Sequence, residues 1–183
     1  MARVLVPLAE GCEELEAVTI IDLLRRAGIE VVVAGLVPGI VKASRGTQLM
    51  PDITLDAALT EDYDMVVLPG GMPGAQHLKD DPRVIGLVQK MAAAGRYIAA
   101  ICAAPTVLAA AGVLSGKTVT GYPGFLEKMH LNDVTLSSNA VVRDGQIITS
   151  RGPGTAMDFA LSLIEILSGL ETRQQVEAAL VRV

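Results

Sequence analysis

Residues 97–105 read Tyr97-Ile98-Ala99-Ala100-Ile101-Cys102-Ala103-Ala104-Pro105. Tyr97–Ile101 is a short apolar run of the kind that forms a buried strand. Pro105 suits the first position of a helix, and the alanine-rich segment after it stops at Gly112. Strand gives way to helix within a few residues, and Cys102 lies on the join.

The same alternation extends outward. Val4–Leu8 reads as a first strand, although Pro7 removes one ladder donor. Glu14–Ala27 has helical spacing, apolar at Leu15, Val18, Ile21 and Leu24, with Gly28 as its stop. Glu30–Leu36 is a second strand, apolar enough to be covered on both faces. Short candidate strands fall at Val41–Ser44 and Gln48–Met50. Met65–Leu68 is another buried run and ends in the glycine-rich loop Pro69-Gly70-Gly71-Met72-Pro73-Gly74. Asp81-Pro82 is an N-cap and N1 pair for a helix to about Ala94. Thr118–Thr120 reads as a strand and Leu126–His130 as a short helix. Ala140–Arg143 and Gln146–Thr149 flank Asp144-Gly145, a hairpin dipeptide. Thr155 is a candidate cap for a helix through Ser168, and Thr172-x-x-Gln175 has a capping-box pattern for a C-terminal one. Alternating β and α elements predict an α/β fold, a mainly parallel sheet with helices on both faces. The expected organisation is one domain over residues 1–183.

Composition narrows the function classes. Hydrophobic residues make up 51% of the chain and aromatics 3%, so the core must be aliphatic. The formal net charge is −5 and no Lys/Arg run occurs, so nucleic acid is not expected as a stable partner. No apolar stretch approaches the roughly 20 residues of a membrane span, and the N-terminus lacks a signal-peptide pattern. Two cysteines do not make a disulfide framework in a chain this long. The expectation is a cytoplasmic protein with reduced thiols.

In such a sheet the functional crevice lies outside the carboxyl ends of the strands. Three loops should meet there: Ala9–Glu14, Pro69–Gly74 and the turn at Cys102. A sharp turn projects the Cys102 side chain above the sheet edge. The N–H groups of the following helix would favour its thiolate and lower the thiol pKa. The competing reading is an inert buried thiol. Gly70 and Gly71 allow close backbone approach, and their N–H groups with that of Ala103 are candidate oxyanion donors. The alternative there is a plain tight turn.

Glu13, Glu14 and Glu16 open the first helix. Carboxylates favour that position for dipole reasons alone. Glu16 shares a row with Ile20 and Leu23, and a buried carboxyl there would keep its proton. Beside Cys102 it would serve as a general acid/base. Glu14 shares a row with Val18 and Ile21, so periodicity leaves both open. His77 and His130 lie in polar surroundings and read as surface residues. Cys12 reads as a packing residue. No cluster has metal-ligand spacing, and neither a metal nor a cofactor is expected.

Several of these segments together resemble the ThiJ/PfpI superfamily, in the subgroup of the Parkinson disease protein deglycase and bacterial YajL. They are Glu13-Glu14-Leu15-Glu16-Ala17, Val67-Leu68-Pro69-Gly70-Gly71, Ala99-Ala100-Ile101-Cys102-Ala103-Ala104-Pro105 and Thr149-Ser150-Arg151-Gly152-Pro153-Gly154-Thr155. The resemblance implies a flavodoxin-like sandwich and a homodimer. It puts the reactive cysteine on Cys102 and its partner carboxylate on Glu16, with backbone donors at Gly71 and Ala103. Glu13 and Arg45 match a pair near the family's dimer interface, where the first helices of two subunits meet. It implies a glyoxalase III-type lyase or protein deglycase, free of cofactor. Its substrates would be small reactive carbonyls or glycated protein side chains. A redox-responsive chaperone or stress sensor using the same cysteine is the alternative.

Two positions depart from the family. Some members carry a His-Pro step near the cysteine, where this chain has Tyr122-Pro123. A phenol, with an ordinary pKa of about 10, is no base near neutrality. Peptidase activity is therefore not expected. Cys12 stands where relatives often have Ala or Ser.

Overall fold

The computed structural model describes residues 1–182. In chain order its elements are β1 (Arg3–Leu8), α1 (Glu14–Arg26), β2 (Glu30–Gly35), β3 (Val41–Lys42), β4 (Gln48–Leu49), β5 (Ile53–Thr54), α2 (Leu55–Ala58), β6 (Met65–Leu68) and α3 (Gly74–Asp80). Then come α4 (Pro82–Ala93), β7 (Tyr97–Ile101), α5 (Pro105–Ala110), β8 (Thr118–Val119), β9 (Thr135–Leu136), β10 (Val141–Asp144), β11 (Ile147–Ser150), α6 (Ala156–Ser168) and α7 (Leu170–Ala179). A seven-stranded sheet runs β10-β11-β7-β6-β1-β2-β5. Its pairings are parallel except β10 with β11, the hairpin closed at Gly145. This is the expected flavodoxin-like α/β sandwich.

The alternation of side chains along a strand divides the core in two. Val4, Val6 and Leu8 of β1, Met65 and Val67 of β6, and Ile101 of β7 face α1 and α6. Leu5, Val66, Leu68 and Ile98 face the opposite way, onto α2, α4 and α5. Both faces are covered, which explains why β6 and the run Val4–Leu8 of β1 are wholly apolar.

Four expectations need correction. The buried stripe of α1 is Glu16, Ala17, Ile20, Leu23 and Leu24, whereas Leu15 and Val18 are 51% and 47% exposed. A helix, α3, follows the glycine-rich loop directly, where none is expected. Thr155 does not cap α6; its hydroxyl bonds Ser150 and Gly152 in a preceding 3₁₀ turn. Thr172 lies inside α7, with its hydroxyl donating to the Ser168 carbonyl, and Gly169 precedes the helix. Among the described residues, no helix is long and apolar enough to cross a membrane.

Sheet order places the site. From β1 the chain runs outward one way to β2, and β6, β7 and β11 lie the other way. The connections after β1 and β6 therefore part at the sheet's switch point, which opens a crevice at the strands' carboxyl ends.

Candidate functional site

The three expected loops meet at that crevice. The Glu13 N–H donates to the Gly70 carbonyl (2.9 Å), and the Gly74 N–H to that of Gly11 (3.1 Å). Cys102 follows β7 with φ +64°, the left-handed region that L-residues seldom occupy. Its N–H donates to the Ser150 carbonyl (3.0 Å), and its own carbonyl accepts from the Tyr122 N–H (2.8 Å). Neighbouring backbone on two sides therefore holds the strained turn in place. The side chain is nearly enclosed, with the residue 8% exposed.

Glu16 is the partner. It is fully buried, and its Oε2 accepts the Gly70 N–H at 2.8 Å. A Cβ on Gly70 would stand 2.5 Å from Cys102 Cβ and 2.8 Å from that same oxygen. Glycine is required there because carboxyl and cysteine close over it. The second oxygen, Oε1, has no partner that meets strict hydrogen-bond geometry among the described residues. The carboxyl nevertheless lies close enough to the thiol for each to shift the other's titration. One carboxyl oxygen is thus left to take a proton.

Burial raises Glu16 to about 7, against the lowering effect of the Gly70 N–H and the Cys102 contact. Burial also raises the Cys102 thiol, and the Glu16 charge adds to it, to about 12. The N–H groups of Gly71 and Ala103 oppose this by pointing at the sulfur. The expected lowering of the thiol is thus reversed. Enclosure and an adjacent carboxylate outweigh two backbone dipoles. Once Glu16 takes a proton, its charge no longer opposes a thiolate.

The donor set also changes. The Gly70 N–H is committed to Glu16, which leaves Gly71 and Ala103 beside the sulfur. Gly71 has φ +86° and no room for a Cβ against the Glu13 backbone.

The remaining candidates sit apart from the sulfur. Glu14 is turned to the 43–47 loop, where its carboxylate accepts from Arg45 N (3.0 Å), Thr47 N (3.3 Å) and the Ser44 hydroxyl (3.0 Å). Burial alone would raise it, but these donors and its own N–H hold it at about 2. Glu13 accepts from the same Ser44 hydroxyl (3.0 Å). No ion pair joins Glu13 to Arg45 among the described residues, and Arg45 is exposed. Cys12 is buried, which raises its thiol to about 11. The His77 ring bonds the Glu10 carbonyl (2.8 Å), and His130 is exposed. No group of His, Cys, Asp or Glu among the described residues could hold a metal ion.

Two contributors escaped the sequence reading. Ser150 holds the Cys102 backbone, and Arg151 lines two cavities that also share Tyr122. The signal was Thr149-Ser150-Arg151 at the end of the last parallel strand. Locating it beside Cys102 requires the β11–β7 pairing.

The raised Glu16 has a consequence for stability. An acid whose folded pKa exceeds its unfolded one binds its proton more tightly in the native state. Below about 4.5 both states are protonated and there is no penalty. Between 4.5 and about 7 the unfolded chain ionises first, so stability falls as pH rises. The full loss is about 3 kcal/mol. Glu16→Gln keeps the Gly70 bond and has no proton to lose. Urea unfolding should show E16Q gaining up to that amount on the wild type between pH 4.5 and 7.5. A constant difference across that range would contradict the buried-acid assignment.

Comparison with known proteins agrees with this architecture. The DJ-1/PfpI family pattern matches residues 2–166. The chain is 48% identical to Protein dj-1beta of Drosophila melanogaster over 177 residues, covering 96% of this chain and 95% of that one. The crystal structure of Drosophila DJ-1beta superposes with a TM-score of 0.95 over 100% of this chain and 98% of that one, at 46% identity. An oxidized Toxoplasma gondii DJ-1 superposes with a TM-score of 0.95 at 40% identity, covering 100% of both chains. A glutathione-independent glyoxalase, DJR-1.2 of Caenorhabditis elegans, is 36% identical over 170 residues, covering 93% and 90%. On sequence and fold together, this chain belongs to the DJ-1/PfpI family.

Proposed function

We propose that the chain is a cofactor-independent, cysteine-dependent glyoxalase or deglycase. Its substrates are methylglyoxal, glyoxal or their early adducts on protein side chains. The observation that carries this is a fully buried carboxyl packed against the cysteine, the two closing over Gly70 from either side, with burial raising the carboxyl to about 7. The glyoxalase relative adds support from outside the chain.

Ionised Glu16 takes the thiol proton as sulfur attacks the aldehyde carbon, giving a hemithioacetal. The Gly71 and Ala103 N–H groups steady the negative charge as it passes from sulfur to the new alkoxide. Glu16 first gives that thiol proton to the alkoxide oxygen. It then takes the proton from the former aldehyde carbon and delivers it to the neighbouring carbon, while the hydroxyl proton passes to the neighbouring oxygen, through an enediolate, leaving a thioester. Water cleaves the thioester, the C–S bond breaks and the thiol reforms. The balance is R–CO–CHO + H2O → R–CHOH–COO⁻ + H⁺. One group that gives and takes protons near pH 7 suits every step.

Lactate formation from methylglyoxal tests this. Cys102→Ser should abolish it. E16Q should lower kcat by roughly 10²–10⁴-fold, the usual worth of a positioned acid/base. Lactate no faster than with free thiol, or insensitive to C102S, would sink the reading.

A second reading as redox-responsive chaperone or stress sensor rests on the same donors. A sulfinate on Cys102 would accept from Gly71, Ala103 and protonated Glu16, and the Toxoplasma relative is described as oxidized. Mild peroxide should add two oxygens to the Cys102 peptide and leave circular dichroism unchanged. An unmodified peptide under conditions that oxidise free thiols would remove this reading.

We also propose a cytoplasmic homodimer built on α1. Leu15 and Val18 stand exposed on α1, and Met50 nearby is 69% exposed. Sedimentation should give twice the chain mass for wild type and the single mass for Leu15→Glu with Val18→Glu. A wild-type monomer at tens of micromolar would refute it.

A further inference from the structure

Both walls of one cavity are hydrogen-bonded to the backbone of Cys102. One is Tyr122-Pro123, whose Tyr122 N–H reaches the Cys102 carbonyl; the other follows Ser150, whose carbonyl takes the Cys102 N–H. Between them lies a cavity of about 370 Å³, bounded by Tyr122, Pro123 and residues 151–155. Arg151 is its only charged lining residue.

The Arg151 guanidinium is placed but not neutralised. Its Nη1 donates to the Ser138 carbonyl (3.1 Å). Unlike Arg83 or Arg182, it has no carboxylate partner among the described residues. Its Nε and Nη2 make no hydrogen bond to protein among the described residues, and together they form the edge whose two parallel N–H bonds match a carboxylate. A second cavity, of about 230 Å³, shares Tyr122, Pro123 and Arg151 with the first and is also lined by Ser138. Thr120 lines it, 1% exposed, with a hydroxyl that has no partner. Glu127 also lines the second cavity, its carboxylate bonded to the Gly124 N–H (2.8 Å). An anion is therefore favoured in the first cavity, where no carboxylate faces it.

We propose that Arg151 selects substrate, by binding the carboxylate of α-oxoaldehydes that carry one beyond the reacting carbonyls. This rests on the glyoxalase reading and names its substrate class. With aldehyde at Cys102 and carboxylate at Arg151, the substrate spans from the sulfur to the cavity wall. Methylglyoxal carries no carboxylate for that anchor. The reaction balances as before, with R bearing the carboxylate and unchanged. For γ,δ-dioxovalerate the product is α-hydroxyglutarate.

The test compares γ,δ-dioxovalerate with methylglyoxal on the full chain, for wild type, Arg151→Met and Arg151→Lys. Wild type should show a KM at least ~10-fold lower for the dioxovalerate. R151M should cut the ratio of the two kcat/KM values by ~10- to 100-fold, mainly through the KM of the anionic substrate, and R151K should restore part of it. A merely structural role would depress both substrates and leave the ratio intact; that result overturns the proposal. If neither substrate is turned over, the glyoxalase reading fails by itself. Glutarate binding by calorimetry then decides: binding by wild type and not by R151M keeps the anion site, and equal or no binding removes it.

Discussion

Glu16 places an ionisable carboxyl where no water reaches it, with one oxygen on the Gly70 N–H. A charge in that position is costly unless it is paired or neutralised. The chain supplies one strong donor and otherwise lets the group keep its proton up to about neutrality. Much of the local architecture follows. The loop after β6 must present a bare N–H, so position 70 has no side chain. The cysteine must come close enough to fill the gap, so its backbone takes the left-handed turn. The loop after β1 must stay tight, so the Glu13 N–H is tied to the Gly70 carbonyl. Two residues away, Glu14 titrates at about 2. The same residue type on the same helix thus differs by several units. Helical phase turns one carboxyl into the core and the other onto three loop donors.

This arrangement also revises the chemistry of the cysteine. A helix N-terminus alone would argue for a resting thiolate. Here α5 is short, and enclosure works against charge on sulfur. The thiol holds its proton until a base takes it, and the base is in contact. The protonation of one group thus depends on that of the other, since the Glu16 charge is among the causes that raise the thiol. A single carboxyl cannot be too acidic to return a proton or too basic to accept one, and a value near 7 meets both demands.

Much of this was legible in the sequence because the strands are short apolar runs punctuated by Gly and Pro. β1, β2, β6 and β7 fall where those runs do, and Cys102 stands at the expected junction. What could not be read depends on distant partners. Leu15 and Val18 have the spacing of a core stripe, but the sheet takes the face carrying Ile20 and Leu23 instead. Helix α3 begins at a glycine with no side-chain cap, its start set by the Gly74 N–H bond to Gly11. Thr155 and Thr172 have cap chemistry, but tertiary and local bonds claim their hydroxyls elsewhere. Glu14 and Glu16 were equivalent by periodicity, and only the packing of α1 separates them. The local signal at Arg151 is its place at the end of a strand; its nearness to Cys102 comes from the parallel register of β11 on β7.

The chain divides labour between its two halves. Glu16 lies in the first turn of α1, and Gly70, Gly71, Cys102 and Ala103 lie in the loops after β6 and β7, on backbone fixed by the central sheet. The walls of the adjoining cavity come later, from residues 120–123 and 151–155. Those walls are attached through main-chain bonds to Cys102 and through the Thr120 N–H to the Thr149 hydroxyl (2.9 Å). Such bonds do not depend on the side chain at position 122. Tyrosine can therefore replace the histidine of some relatives without disturbing the cysteine–carboxyl pair. It removes a possible second base and leaves an aromatic wall, edge-on to Phe125 at 6.0 Å between ring centroids. The pair and the walls are thus fixed by different contacts, the first by the Gly70 N–H and the second by main-chain bonds to Cys102.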